Sequence, residues 1–197
     1  MQNKFINIYE KNIWGEGSGA GSSFNYNKKY ITFLQEFFLK NNIKTVLDIG
    51  CGDWQFSQYI NFNNIKYRGI DIVPSVIDNN NKFIADNIDF ICGDITDYNQ
   101  LKPYTNVDLI LIKDVLQHWD NNQIENFLKN ITKSDAKFIL FTSAYKHFRD
   151  KNKNNKERNI ENKYSFAPLD LMNDKFKHYN FKKVLKYKYK EVILWQK

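Results

Sequence analysis

Val46-Leu47-Asp48-Ile49-Gly50-Cys51-Gly52-Asp53-Trp54 is the stretch that decides how this chain folds. The apolar run from Thr45 to Ile49 is too short for an ordinary helix and ends in Gly-Cys-Gly, so it reads as a buried strand leaving its sheet through a tight turn. Asp48 then stands at the C-terminal edge of that strand. The two glycines let a ligand approach the backbone, which a Cβ at either position would obstruct. A helix is expected next, over residues 54–60, and its N-terminal N–H groups would face an anion. Open α/β sheets bind their ligands at this edge.

Outward from that segment the chain alternates. Residues 25–42 predict a helix, with Tyr30, Phe33, Leu34, Phe37 and Phe38 on one apolar face. Further strands are expected over 66–72, 88–92, 107–112 and 137–142, with helices over 75–86, entered through Pro74, and over 121–131. Helices of that length between strands give parallel βαβ units, and unbroken apolar runs mark strands covered on both faces. Residues 181–189 and 191–195 lie too close together for a crossover, so they predict an antiparallel hairpin at the end of the sheet.

Composition narrows the class. A chain of 197 residues with 42% hydrophobic content can build one core, and no apolar stretch reaches the roughly 18 residues that span a bilayer. The first ten residues carry no apolar signal segment, and Cys51 and Cys92 are too few for a disulfide framework or a metal site. A cytoplasmic protein without a bound metal is expected. Net charge is +7, from 29 basic and 22 acidic residues, with the basic ones gathered in 146–163 and 182–190. Such an excess favours anionic partners.

The site residues follow from the strand ends. A dinucleotide fingerprint wants a third glycine at position 55, where this chain has Gln55. Asp48 suits a cationic amino group, Asp71 ends the second predicted strand where a carboxylate accepts ribose hydroxyls, and Asp94 follows the third, in reach of an adenine amino group. Over residues 44–197 these positions resemble the class I S-adenosylmethionine methyltransferases, whose acidic-x-Gly-x-Gly turn, second-strand carboxylate and third-strand Asp they match in order. The resemblance implies an α/β, Rossmann-like, mostly parallel seven-stranded sheet with a C-terminal antiparallel hairpin and helices on both faces. It implies S-adenosylmethionine as cofactor and S-adenosylhomocysteine as product. Tyr9, Trp14, Asp48, Gly50, Gly52, Trp54, Asp71, Ile72, Asp94, Ile95 and Lys113 are its expected contacts.

Four segments are similar to small methyltransferases of bacterial surface-polysaccharide clusters, some of which are assigned to methylating a capsular phosphoramidate. They are the run from Ile8-Tyr9-Glu10 through Trp14-Gly15-Glu16-Gly17-Ser18-Gly19 to Ala20-Gly21-Ser22, then Gly52-Asp53-Trp54, Asp114-Val115-Leu116-Gln117-His118, and Pro168-Leu169-Asp170-Leu171. The chain departs from that group at Asn159-Ile160, where the group has Asp-Ile, and at Ala167, in the region of the group's Arg.

Residues 1–43 are therefore expected to form a lid loop and helix, with Tyr9 and Trp14 anchoring the Gly/Ser run 15–23, and residues 44–197 the cofactor-binding domain. His118, as base, and Asp114 are the catalytic candidates; four apart, they would share one face of a helical turn. Tyr145, His147 and Arg149 follow the fifth strand and are candidates for the methyl acceptor. A neutral sugar hydroxyl would need His118 as base, whereas a phosphate or phosphoramidate oxygen would need cations such as Lys113, Lys146 or Arg149. The charge favours the second, a small or nucleotide/sugar-linked anionic acceptor. The rivals are an RNA methyltransferase, for which no appendage or Asn/Asp-Pro-Pro-Tyr motif stands after residues 107–112, and a non-catalytic binding protein of the same fold.

Overall fold

The computed structural model describes residues 2–145 and 167–197. Seven strands form one sheet: β1 Thr45–Ile49, β2 Lys66–Asp71, β3 Ile88–Cys92, β4 Leu109–Lys113, β5 Phe138–Ala144, β6 Lys182–Tyr187 and β7 Lys190–Gln196. Their order is β3-β2-β1-β4-β5-β7-β6. The first five run parallel, while β7 lies antiparallel between β5 and β6. Charged Lys182, Lys183 and Lys186 on the outer strand β6 discourage further strand addition at that edge.

The period of two along each strand sends alternate side chains to opposite faces. Val46, Tyr67, Leu109, Leu111, Leu140 and Val192 pack on one face against Tyr30, Ile31, Leu34 and Phe38 of helix α2, Phe24–Lys40. Leu47, Ile110, Ile112, Ile139, Phe141 and Ile193 pack on the other against Ile124, Phe127, Leu128 and Ile131. Those four belong to α5, Asn121–Ile131, preceded in chain order by α3, Pro74–Asn80, and the single turn α4, Tyr98–Leu101. Asp120 starts α5 with a capping box: its side chain accepts from Gln123 N, and Gln123 reaches back to its backbone.

Four elements differ from expectation, the single turn α4 among them, where no helix was expected. A helix, α1, spans Gln2–Glu10 where none was expected; Phe5, Ile6 and Tyr9 lay it against Ile72, Val73 and Val76. The expected helix 54–60 is only the 3₁₀ turn Ser57–Tyr59, because Trp54 sits in the left-handed region (φ 58°) and breaks the entry. The helix expected over 75–86 is α3 with a 3₁₀ turn, Asn81–Phe83, behind it.

Strand order reverses between β1 and β4, so connections leave those two strands toward opposite faces and part above their C-terminal ends. The crevice this leaves is where open α/β sheets place their sites.

Candidate functional site

A cavity of about 420 Å³ opens at that reversal point, within the size range of small-ligand sites. One side of it is the Gly-Cys-Gly turn. Gly50 and Gly52 have φ of 75° and 57°. Gly50 N donates to Ile70 O at 2.7 Å, folding the turn back onto β2. Asp71 ties the two strand ends together, accepting from Gly52 N (3.0 Å) and Val73 N (3.1 Å). Burial pushes its carboxyl up against the pull of those bonds. Asp48 accepts from the Tyr67 hydroxyl at 2.7 Å. Burial lifts the Asp48 carboxyl to about 6, although the Tyr67 bond and the Lys113 charge pull it down. A carboxylate so held gains from any cation brought into the cavity. Ile72, Ile95 and Val115 supply apolar wall between the two acids and β4.

The roof comes from the N-terminus: Phe5 and Tyr9 of α1, Trp14, and residues 18–22. Ser18 and Asp53 pin it reciprocally, Ser18 N donating to Asp53 Oδ2 (3.0 Å) and Asp53 N to Ser18 Oγ (3.1 Å). The Tyr9 hydroxyl lies 2.7 Å from the same Ser18 Oγ. Gln55 donates to Glu16 O (3.0 Å) and Asp53 Oδ2 (2.8 Å), so the residue that replaces a fingerprint glycine holds the roof down.

The opposite wall is charged. Lys113 at the end of β4 donates to Asp114 Oδ2 (2.5 Å) and to the roof carbonyl of Gly21 (3.3 Å). Lys190, the first residue of β7, donates to the same Asp114 oxygen and to the same Gly21 carbonyl (3.0 Å). Both lysines are buried. Burial pushes the Asp114 carboxyl up, but the two ammonium groups outweigh it and hold it at about 2. Asp114 is therefore a fixed negative charge and far too weak a base to take a proton near neutrality.

Of the expected cofactor contacts, Tyr9, Trp14, Asp48, Gly50, Gly52, Asp71, Ile72, Ile95 and Lys113 all line this cavity. Two do not. Trp54 is buried among Phe62, Tyr67, Phe83 and Phe90, which makes its ring part of the core. Asp94 turns onto its own loop, accepting from Thr96 N (2.9 Å) and Oγ1 (2.7 Å). Asp114 and His118 both line the cavity, though they share no helical face: Asp114 has a left-handed φ of 60°, and the 3₁₀ turn Leu116–His118 begins after it. His118 stacks on Trp14, with centroids 5.1 Å apart, and meets Phe5 edge-on at 5.5 Å. Tyr145 stands outside the lining, beneath the Lys186 ammonium at 4.3 Å, while its neighbour Ala144 is part of it. Lys146, His147, Arg149 and the basic loop lie outside the described residues. Lys190 and Tyr26 line the cavity without having been expected there.

Among the described residues no group of three or more His, Cys, Asp or Glu is placed to hold a metal ion, and no helix is long and apolar enough to cross a membrane.

A family model described as "Methyltransferase domain" matches residues 40–189. No curated protein sequence matches the chain. Among solved structures, it is similar to the N-methyltransferase NodS from Bradyrhizobium japonicum in complex with S-adenosylhomocysteine, with a TM-score of 0.67, 14% identity and 97% of each chain covered. It is also similar to magnesium protoporphyrin IX methyltransferase from Synechocystis with the same molecule bound (TM-score 0.66, 11% identity, 98% of this chain and 97% of that one). An O-methyltransferase family protein from Burkholderia thailandensis gives a TM-score of 0.66 at 10% identity over 87% of this chain and 56% of that one. At such identities the likeness is one of fold.

Proposed function

The chain belongs to the methyltransferase-domain family and is an S-adenosylmethionine-dependent methyltransferase, and from that premise we propose that it O-methylates a small anionic precursor of a bacterial capsule or surface polysaccharide, a phosphoramidate or phosphorylated compound. The residues at the cavity fit the cofactor: a buried carboxylate whose ionisation a cation would favour, a Gly-x-Gly turn bare of side chains, and a second buried acid at the next strand end. On this reading Asp48 receives the amino group of the methionine moiety, Asp71 the ribose hydroxyls, and Ile72 and Ile95 flank the adenine. When bound, S-adenosylmethionine supplies a sulfonium methyl that needs no further activation by the protein. What the chain contributes is placement of the nucleophile and exclusion of water. The N-terminal roof serves the second purpose, closing both halves of the cavity.

One observation carries the choice of acceptor. In the cavity lining, two buried lysines converge on a single carboxylate, Asp114, and the charge of Lys113 also reaches Asp48. An anionic oxygen needs no base, only cations to hold it, and this wall offers them. The polysaccharide context rests on the four signature segments, three of which line the cavity in part. The test is to measure S-adenosylhomocysteine release with a sugar phosphoramidate, a sugar phosphate and the corresponding neutral sugar. Turnover on the charged compounds and none on the neutral one is expected; turnover confined to the neutral sugar would overturn the anionic acceptor.

A further inference from the structure

We propose that Lys190 is the residue through which acceptor binding tightens the N-terminal roof, because its ammonium is shared between Asp114 on the acceptor wall and the Gly21 carbonyl of the roof. This rests on the anionic-acceptor reading above and adds to it a positioning role for a residue in the last strand.

The case begins with a count of donors and acceptors at one point. The Gly21 carbonyl accepts from Asn27 Nδ2 (2.9 Å), Lys190 Nζ (3.0 Å) and Lys113 Nζ (3.3 Å). A carbonyl oxygen has two lone pairs, so three donors crowd it. The carboxylate next to it is no better matched: both lysines converge on Asp114 Oδ2, while Asp114 Oδ1 is buried without a hydrogen-bond partner. Among the described residues, two ammonium groups bring six N–H donors to two oxygens, and beyond those each has an aromatic face, Phe56 for Lys113 (4.9 Å) and Tyr26 for Lys190 (5.0 Å). The surplus is of N–H donors, and it lines the cavity.

An anion in the cavity would accept the N–H groups left over. It would also offset the mutual repulsion of the two lysines, the force that otherwise works against both ammonium groups staying where Gly21 needs them. Burial pushes the Lys190 ammonium down to about 7 and Lys113 pushes it the same way, against the attraction of Asp114. A bound anion reverses the balance by favouring the charged form, and a charged donor holds a carbonyl more strongly than a neutral amine does. Gly21 sits in the roof three residues after Ser18, the residue pinned to Asp53 above the cofactor turn. Tightening at Gly21 therefore closes the same short segment that covers the cofactor half.

The experiment follows amide exchange of residues 15–23 in the full chain, with S-adenosylhomocysteine alone and with added inorganic phosphate as the anion probe. Phosphate affinity is measured in parallel by calorimetry. In the wild type, phosphate should slow exchange by about tenfold beyond the slowing by S-adenosylhomocysteine alone, the effect of one charge-assisted hydrogen bond. Lys190→Met removes the ammonium but leaves Lys113 and Asp114 as a neutral pair, so the fold should persist. That variant should keep the S-adenosylhomocysteine effect and lose the phosphate increment; Lys190→Arg should keep both. Phosphate that binds the wild type, with an increment unchanged in Lys190→Met, would overturn the coupling and leave the anionic acceptor standing. Loss of the increment in the Arg and Met variants alike would mean that Lys190 only packs, and overturns it too. No phosphate binding to the wild type would overturn the anionic-acceptor reading and this proposal together.

Discussion

Replacing Gly50 with alanine tests the cofactor turn where the structure is least forgiving. A Cβ built there would lie 2.3 Å from Val115 Cγ2, well inside contact, and the residue's φ of 75° is one that side-chain-bearing residues resist. The backbone term is worth about 1–2 kcal/mol. The overlap cannot be relieved by a swinging chain end, because Val115 is a β-branched residue packed with Ile95 and Leu116 in the core, and overpacking of that kind costs about 1–3 kcal/mol. Together they predict a loss of roughly 2–5 kcal/mol, or about 4–20 °C in Tm for a chain of this length.

The ligand response separates a site effect from general destabilisation. At a hundredfold excess over Kd, S-adenosylhomocysteine should stabilise the wild type by about 2.7 kcal/mol, or roughly 5–11 °C. Gly50→Ala should lose most of that shift, since the new methyl and the displaced Val115 both intrude on the cavity wall. Differential scanning fluorimetry with and without ligand reads both quantities. Val115→Ala removes the clashing Cγ2 but not the φ strain, so the double variant should recover about 1–3 kcal/mol relative to additivity. A Gly50→Ala protein with wild-type Tm and an undiminished ligand shift would refute the assignment, as would a strictly additive double variant.

The Asp48 carboxyl, raised by burial to about 6, is protonated below that value and charged above it. S-adenosylmethionine affinity should therefore fall as pH drops through about 6, and Asp48→Asn should flatten the profile measured by calorimetry. Without ligand the sign is opposite: the folded state holds this proton more tightly than an unfolded carboxyl near 3.9, so stability should decline as pH rises from about 4 to about 6, a trend Asp48→Asn should abolish in urea titrations. Asp53→Asn weakens the reciprocal Ser18 pin and should lower S-adenosylhomocysteine affinity by about tenfold, the loss of one or two charge-assisted hydrogen bonds; an unchanged Kd would show that the pin does not help hold the ligand. His118→Asn should cost much less than the 10²–10⁴-fold typical of a lost general base, and a loss in that range would restore the neutral-hydroxyl acceptor.

Legibility in the sequence followed the range of the forces involved. The strand at 45–49 and the helix at 121–131 were readable to the residue, because burial on both faces, or a capping aspartate with one apolar stripe, leaves a local pattern; the half-buried edge strand at 88–92 was readable from its short apolar run. The Gly-x-Gly turn and the acids at the first two strand ends were readable in the same local way, and all of them line one cavity. Helix α1 was not, although Phe5, Ile6 and Tyr9 stand at helical spacing, since what holds them is a patch around Ile72 and Val76 far along the chain. Trp54 misled because an aromatic after the glycine turn looks like a ligand contact, and nothing local reports the four rings gathered around it. Lys190 is the sharpest case. It sits in a run with Lys186 and Lys188, both exposed, and only its pairing with Asp114, 76 residues away, distinguishes it.

That pairing bears on how the two halves of the cavity are released. Residues 14–22 touch both: Ser18 is fixed to Asp53 on the cofactor side, while Trp14 stacks on His118 and Gly21 receives the two lysines on the other. A segment this short cannot lift from one side while staying bonded along the whole of the other. Opening it for the spent cofactor must strain the contacts with Lys113 and Lys190. Hydrogen bonds to charged groups are worth about 1.5–3 kcal/mol each, and the lysine side has two of them to Gly21 against the one from Ser18 N to the Asp53 carboxylate, so the lysine side is the costlier to break. Departure of the acceptor's negative charge lowers that cost by restoring the repulsion between the lysines. On the anionic-acceptor reading, methylation itself begins the process, since it reduces by one the negative charge on the oxygen that the lysines hold. The methylated product should accordingly leave before S-adenosylhomocysteine, and product-inhibition patterns that put S-adenosylhomocysteine first would show that the roof opens by another route.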